Sequence, residues 1–176
     1  MQVSISRIAR YAALAAAFVV PTLAMADSGD TIQWRTIVGL VQANNVVGSG
    51  SGAVTGGGQP WTAAGGHASV NLSTGQVSFE VRGLVFAGGN TVGVPLPITQ
   101  VMGTLVCDTN ASADHGSTPS SVLVNTAAVP LDAQGDAQFA GNVGALPAVC
   151  LSEPDIAFLV RIPGANRWIA NGAILQ

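Results

Sequence analysis

From Thr31 to the C-terminus, apolar residues alternate with polar or small ones over short runs that end at Gly, Pro, Asn or Asp. A period of two sends successive side chains to opposite faces of a strand, so the pattern predicts half-buried β-structure. It is clearest between Gly66 and Phe86. Ala68, Val70 and Leu72 share one face while Ser69, Asn71 and Ser73 take the other. Thr74-Gly75 then turns the chain, and Val77, Phe79 and Val81 alternate with Ser78, Glu80 and Arg82. This is the signature of a β-hairpin with one buried face, glycine supplying the turn conformation. Gly83 breaks the alternation, and a bulge there brings Leu84 and Phe86 to the inward face.

Further strands are predicted over Thr31–Leu40, Ile98–Cys107, Ser121–Val129, Ala137–Val143, Ile156–Ile162 and Arg167–Leu175. Asn45–Val54 is a weaker candidate because Gly48, Gly50 and Gly52 lower its strand propensity. About eight or nine short strands with turn residues between them fit an all-β antiparallel sandwich, Greek-key or immunoglobulin-like. Three stretches read as loops: Gly48–Gly66, Gly88–Pro97 and the wholly small or polar Asp108–Ser120.

The first 26 residues have a different pattern. Arg7 and Arg10 precede an apolar stretch from Tyr11 to Val20, and Ala24-Met25-Ala26 has the small-x-small form that signal peptidase accepts. A membrane anchor needs roughly 20 apolar residues, so the expectation is a cleaved signal peptide, with Asp27 in place of a lipid-bearing Cys. Residues 27–176 are then one exported domain, periplasmic or extracellular, without a membrane anchor.

Charge narrows the partners. The chain has six basic residues, all arginine, and nine acidic ones. Removing residues 1–26 leaves four arginines and all nine acids, a net charge of 4 − 9 = −5. Nucleic-acid binding by counterion release needs clustered cations, so nucleic acid is set aside. Low charge with abundant Val, Ile, Leu and Phe marks a folded chain rather than a disordered one. An oxidising compartment also makes Cys107 and Cys150 a disulfide. They lack the Cys-x-x-Cys spacing of a zinc or redox site.

Candidate chemistry is sparse. Asp108-Thr109-Asn110-Ala111-Ser112-Ala113-Asp114-His115 places oxygen side chains where a hard cation could sit. However, Ala113 and Pro119 occupy the positions where an EF-hand loop needs Gly and Glu, so a solvated loop is the favoured reading and no cofactor is expected. His67 and His115 are the available histidines. Gly48-Ser49-Gly50-Ser51-Gly52 lacks the context of a nucleophile elbow and reads as a flexible loop or irregular strand. Glu153 and Asp155 flank Pro154 in a turn. Trp34 and Trp168 fall in strand-like runs and are expected in the core or on a sheet face. Trp61 follows Pro60 in a glycine-rich stretch, either as an exposed binding residue or as a plug over one end of the sandwich. Trp61, His67, Asp108, Asp114 and His115 are therefore the candidate ligand-binding residues, and no catalytic or metal-binding set is assigned.

The run Gly65-Gly66-His67-Ala68-Ser69-Val70-Asn71-Leu72, followed by Gly75 to Leu84, resembles the opening hairpin of chordin-type (CHRD) β-domains. Arg167 to Ile174 is similar to that family's closing strand, with Ala170-Asn171-Gly172 in place of its Arg-containing step. The stretch Ile98 to Gly103 lacks the family's histidines. The resemblance implies a β-sandwich without enzymatic activity and transfers no site residue. The first function expected is a non-enzymatic structural or binding role, toward another protein or by self-association. The alternatives are a fimbrial-type subunit that polymerises through its terminal strand, Trp168 to Leu175, and a hydrolase built on His115 with Asp108 or Asp114.

Overall fold

The computed structural model describes residues 30–110, 120–151 and 155–175. The expected signal peptide, Asp114, His115 and Glu153 lie outside the described residues. The described chain is all-β. Its eight strands of four residues or more are β1 (Thr31–Gly39), β5 (Gly65–Asn71), β6 (Gln76–Arg82), β8 (Gln100–Cys107), β9 (Val122–Asn125), β11 (Ala137–Asn142), β12 (Ile156–Ile162) and β13 (Arg167–Leu175). Shorter ones intervene: β2 (Val46–Val47), β3 (Val54–Gly56), β4 (Trp61–Thr62), β7 (Val85–Phe86) and β10 (Val129–Pro130). Eleven strands share one sheet, ordered β10-β8-β12-β13-β1-β5-β6-β11 with β2, β3 and β9 as side pairings, and β4 pairs with β7 in a second. Every pairing is antiparallel except β3 with β13.

The hairpin predicted around Thr74-Gly75 is β5–β6, with Ala68 opposite Phe79 and Val70 opposite Val77. Asn71 organises its turn, its Oδ1 accepting from the Thr74 amide and the Ser73 and Thr74 hydroxyls at 2.8 Å each. Gly75 sits at φ 70°, and a side chain there would overlap the carbonyl of Gly144. Glycine is thus required for both its conformation and its lack of a Cβ.

The sheet is curled into two facing layers. β10 and β11 end the pairing order, yet only residues 131–136 separate them along the chain. The turn between them is tight, with the Asp132 amide donating to the Asp136 carbonyl and the Asp132 Oδ1 accepting from the amides of Gln134 and Asp136. β1 joins the layers, pairing through Thr31–Trp34 with β5 and through Trp34–Gly39 with β13. Between the layers, the rings of Trp34 and Phe79 each lie 5.6 Å from that of Phe158, which is fully buried. Gly103 on β8 leaves room for both phenylalanines, since a Cβ there would lie 3.0 Å from each ring. Side chains from both sheet halves fill one core, the arrangement of a β-sandwich.

β12 is buried on both faces, and so are Leu159 and Thr104 on the side away from Phe158. The segment 48–56 lies against that second side, where a Cβ on Gly48 would come 3.0 Å from Val106, which shares the face of Thr104 on β8. The sequence read Gly48–Gly52 as a flexible loop or irregular strand; the segment is irregular, ending in the 3-10 turn Gly50–Gly52, and Gly52 packs it against Ser121, next to β9. Gly52 is buried, and a Cβ on it would overlap the Ser121 carbonyl. The Ser49 amide donates to the Ser121 Oγ at 2.8 Å, and the Ser121 amide donates back to the Ser49 carbonyl at 3.1 Å. The glycines serve close backbone approach here.

The strand predicted over Ser121–Val129 is split into β9 and β10 at Thr126. The ladder to β8 survives because the Gly103 amide donates to the Thr126 Oγ1 at 2.9 Å and the Thr126 amide donates to the Gly103 carbonyl. Cys107 and Cys150 form the expected disulfide, with both residues fully buried. Among the described residues, no helix is long and apolar enough to cross a membrane.

Candidate functional site

Trp61 is held by backbone first. Its amide donates to the Leu40 carbonyl at 2.7 Å, and as part of β4 it lies opposite Phe86 of β7, their rings 4.0 Å apart. It is 3% exposed. It belongs to a short strand that closes one end of the sandwich, not to an exposed loop, so the plug reading fits and the exposed one does not.

Around that plug, strand ends meet. Phe86 follows β6, Ile98 precedes β8, Ile162 ends β12, and Ile169 lies near the start of β13. With Trp61 and Pro97 they form an apolar cavity of about 370 Å³. Gly57, Gly58, Gln59, Thr91 and Arg167 complete its wall. The loop that supplies Thr91 and Pro97 is fixed to Phe86, whose amide donates to the Val94 carbonyl and whose carbonyl accepts from the Gly93 amide. On the same loop Val92 is 61% exposed and Leu96 55%. An apolar cavity beside exposed aliphatic side chains is the usual form of a binding surface.

Arg167 is exposed, and its Nη1 donates to the Gly56 carbonyl at 2.9 Å and the Asn44 Oδ1 at 3.2 Å. The one salt bridge among the described residues is Arg82–Glu80, 3.2 Å and solvent-exposed, so it contributes little to stability. A second cavity, about 560 Å³, opens where β10 and β11 diverge, walled by Glu80, Arg82, Pro130, Asp132, Asp136 and Gln138 among others. Two of its charges, Glu80 and Arg82, pair with each other on β6, Asp132 and Asp136 are exposed, and no aromatic ring lines it.

The described sequence candidates, Trp61, His67 and Asp108, do not converge. Asp108 lies beyond the other end of β8, and a rise of about 3.3 Å per residue puts the two ends of that strand roughly 23 Å apart. Asp108 is 1% exposed and structural. Its carbonyl accepts the Ser121 hydroxyl at 2.8 Å, in the region where the Thr109 amide donates to the Asp155 carbonyl. His67 is on the outward face of β5, exposed, opposite Glu80 and near Ser78 and Gln138. Among the described residues, no group of three His, Cys, Asp or Glu side chains is placed to hold a metal. Sequence reasoning found Trp61 but missed Phe86, Ile98, Ile162, Ile169 and Arg167. Their common signal is position at strand ends, which becomes a shared location only once the strand order is known.

Compared with protein-family models, curated proteins and solved structures, the chain matches none.

Proposed function

We propose that this protein is an exported, non-catalytic binding module whose end cavity receives an apolar group. The observation that carries the reading is the convergence of Trp61, Phe86, Pro97, Ile98, Ile162 and Ile169, from separate strands and loops, on one cavity of about 370 Å³. That volume lies within the ~300–1,000 Å³ of small-ligand sites. Export rests on the signal-peptide pattern before Asp27 and agrees with the buried Cys107–Cys150 disulfide. A role without catalysis is also what the chordin-type resemblance implies.

The fimbrial-type alternative loses its donor. β13 is already paired with β12 on one side and β1 on the other, so lending it to a neighbour would require opening the middle of the sheet. The hydrolase alternative rests on His115 and Asp114, which lie outside the described residues, and on Asp108, which is buried.

Octanol, an uncharged apolar probe, tests the cavity. Titration should shift the methyl NMR signals of Ile98, Ile162 and Ile169 together. Gly58→Phe should abolish those shifts without unfolding the protein, because a Cβ at Gly58 meets nothing within 4 Å. Shifts that are absent in the native protein, or that persist unchanged in Gly58→Phe, would refute this assignment.

A further inference from the structure

We infer that the end cavity binds a single-chain amphiphile with an anionic head, the chain lying on the partly exposed Phe86, Ile98 and Ile162 above the buried Trp61 and Ile169, and the head meeting Arg167. The inference rests on the apolar-cavity reading above and adds the charge of the ligand.

Charge complementarity carries it. Arg167 lines the wall of an otherwise apolar cavity, and among the described residues no carboxylate lies within salt-bridge distance of it. Both of its protein hydrogen bonds leave from Nη1, to the Gly56 carbonyl and the Asn44 side chain. These anchor the guanidinium while Nη2 and Nε remain for a ligand. A guanidinium fixed in this way, with donors in a planar fork, suits a carboxylate oxygen pair. Next to apolar walls the attraction is less screened than on an open surface.

The molecule around the cavity favours a free amphiphile over a membrane surface. The chain after Ala26 carries four arginines against nine acids, which disfavours anionic lipid surfaces. Trp61 is buried, and Thr91 and Pro97 of the 87–98 loop share the cavity wall with it and with Phe86.

Octanoate and octanol, compared at neutral pH on the full mature chain, test the assignment. Octanoate should shift the methyl signals of Ile98, Ile162 and Ile169 and bind about tenfold more tightly than octanol, the factor that 1.4 kcal/mol confers. Arg167→Gln should bring octanoate down to the affinity of octanol and leave octanol unchanged. Arg167→Lys, which restores the charge, should recover most of the preference. Equal binding of the two probes by the native protein, or a preference that survives Arg167→Gln, overturns the anionic head while leaving the apolar cavity standing. Absence of both probes from the cavity overturns both readings. Co-sedimentation with phosphatidylglycerol vesicles without octanoate binding would assign the surface to a membrane and likewise overturn this inference.

Discussion

Arg161 is a cation inside the sheet, 8% exposed on β12. Its Nη2 donates to the Asn166 Oδ1 at 3.0 Å and the Ala165 carbonyl at 3.4 Å, and its Nη1 donates to the Asn125 Oδ1 at 3.4 Å. Its Nε is buried without a hydrogen-bond partner. Burial holds its pKa below that of a free guanidinium. With the folded pKa lowered, the unfolded chain holds the proton more readily, so this residue adds stability only as pH climbs into the arginine range. Near neutral pH arginine is protonated in both states, and the residue imposes a constant desolvation cost offset by neutral acceptors. Asn166→Ala should therefore lower stability by about 1–3 kcal/mol, because it leaves a buried charged donor only the 3.4 Å bond to the Ala165 carbonyl, and it also removes the Asn166 bond to the Ala53 carbonyl. Arg161→Met, which removes the charge and keeps the length, should cost less than Asn166→Ala. Urea denaturation of the two variants decides the order, and a Met variant less stable than the Ala variant would show the guanidinium to be net stabilising.

The elements were legible where a strand has one wet and one dry face. β5 and β6 alternate cleanly because their outward residues, His67, Ser69, Ser78 and Glu80, meet solvent or one another; the Ser69 and Ser78 hydroxyls lie 2.8 Å apart. β12 reads as a continuous apolar run because segment 48–56 lies against the second face of its sheet, and neither that run nor the glycines of the segment say which lies on which. Glycine signals flexibility and close approach with the same letter. Gly52 and Gly58 separate the two meanings. Gly52→Ala should lift the 48–52 segment from Ser121, lowering stability by about 1–3 kcal/mol as overpacking does. It should also speed amide exchange at Ser49 and Ser121, whose bonds join the two segments. Gly58→Ala, with open space before it, should change neither quantity. Equal effects from the two substitutions would mean that the 48–52 segment is not packed as described.

At the scale of the whole molecule, the disulfide and the end cavity lie at opposite ends of β8, so the stabilising crosslink is separate from the proposed site. Cys107 ends β8, and Cys150 lies in the short turn Ala148–Leu151 that leads into β12. Those strands are already neighbours, with Ile156 opposite Cys107, so the bond adds no new contact to the sheet. It acts on the unfolded chain by closing a loop across a sequence separation of 43 residues, worth about 4 kcal/mol in the chain-entropy model. The sequence predicted this pairing because it holds two cysteines and an export signal that places them in an oxidising compartment. The cavity had no such arithmetic, since its residues lie between positions 57 and 169 and share only an end of the sandwich. Cys107→Ala/Cys150→Ala should therefore lower the unfolding free energy by about 4 kcal/mol while leaving octanol binding at Ile98, Ile162 and Ile169 unchanged at temperatures where the variant remains folded. In the native protein, reductant should act slowly, because both cysteines are fully buried and exchange requires thiolate access to a sulfur. A double variant as stable as the native protein would show that the unfolded chain is not constrained by the bond. One that is folded but no longer binds octanol would show that the two ends are coupled through the β8 and β12 strands that connect them.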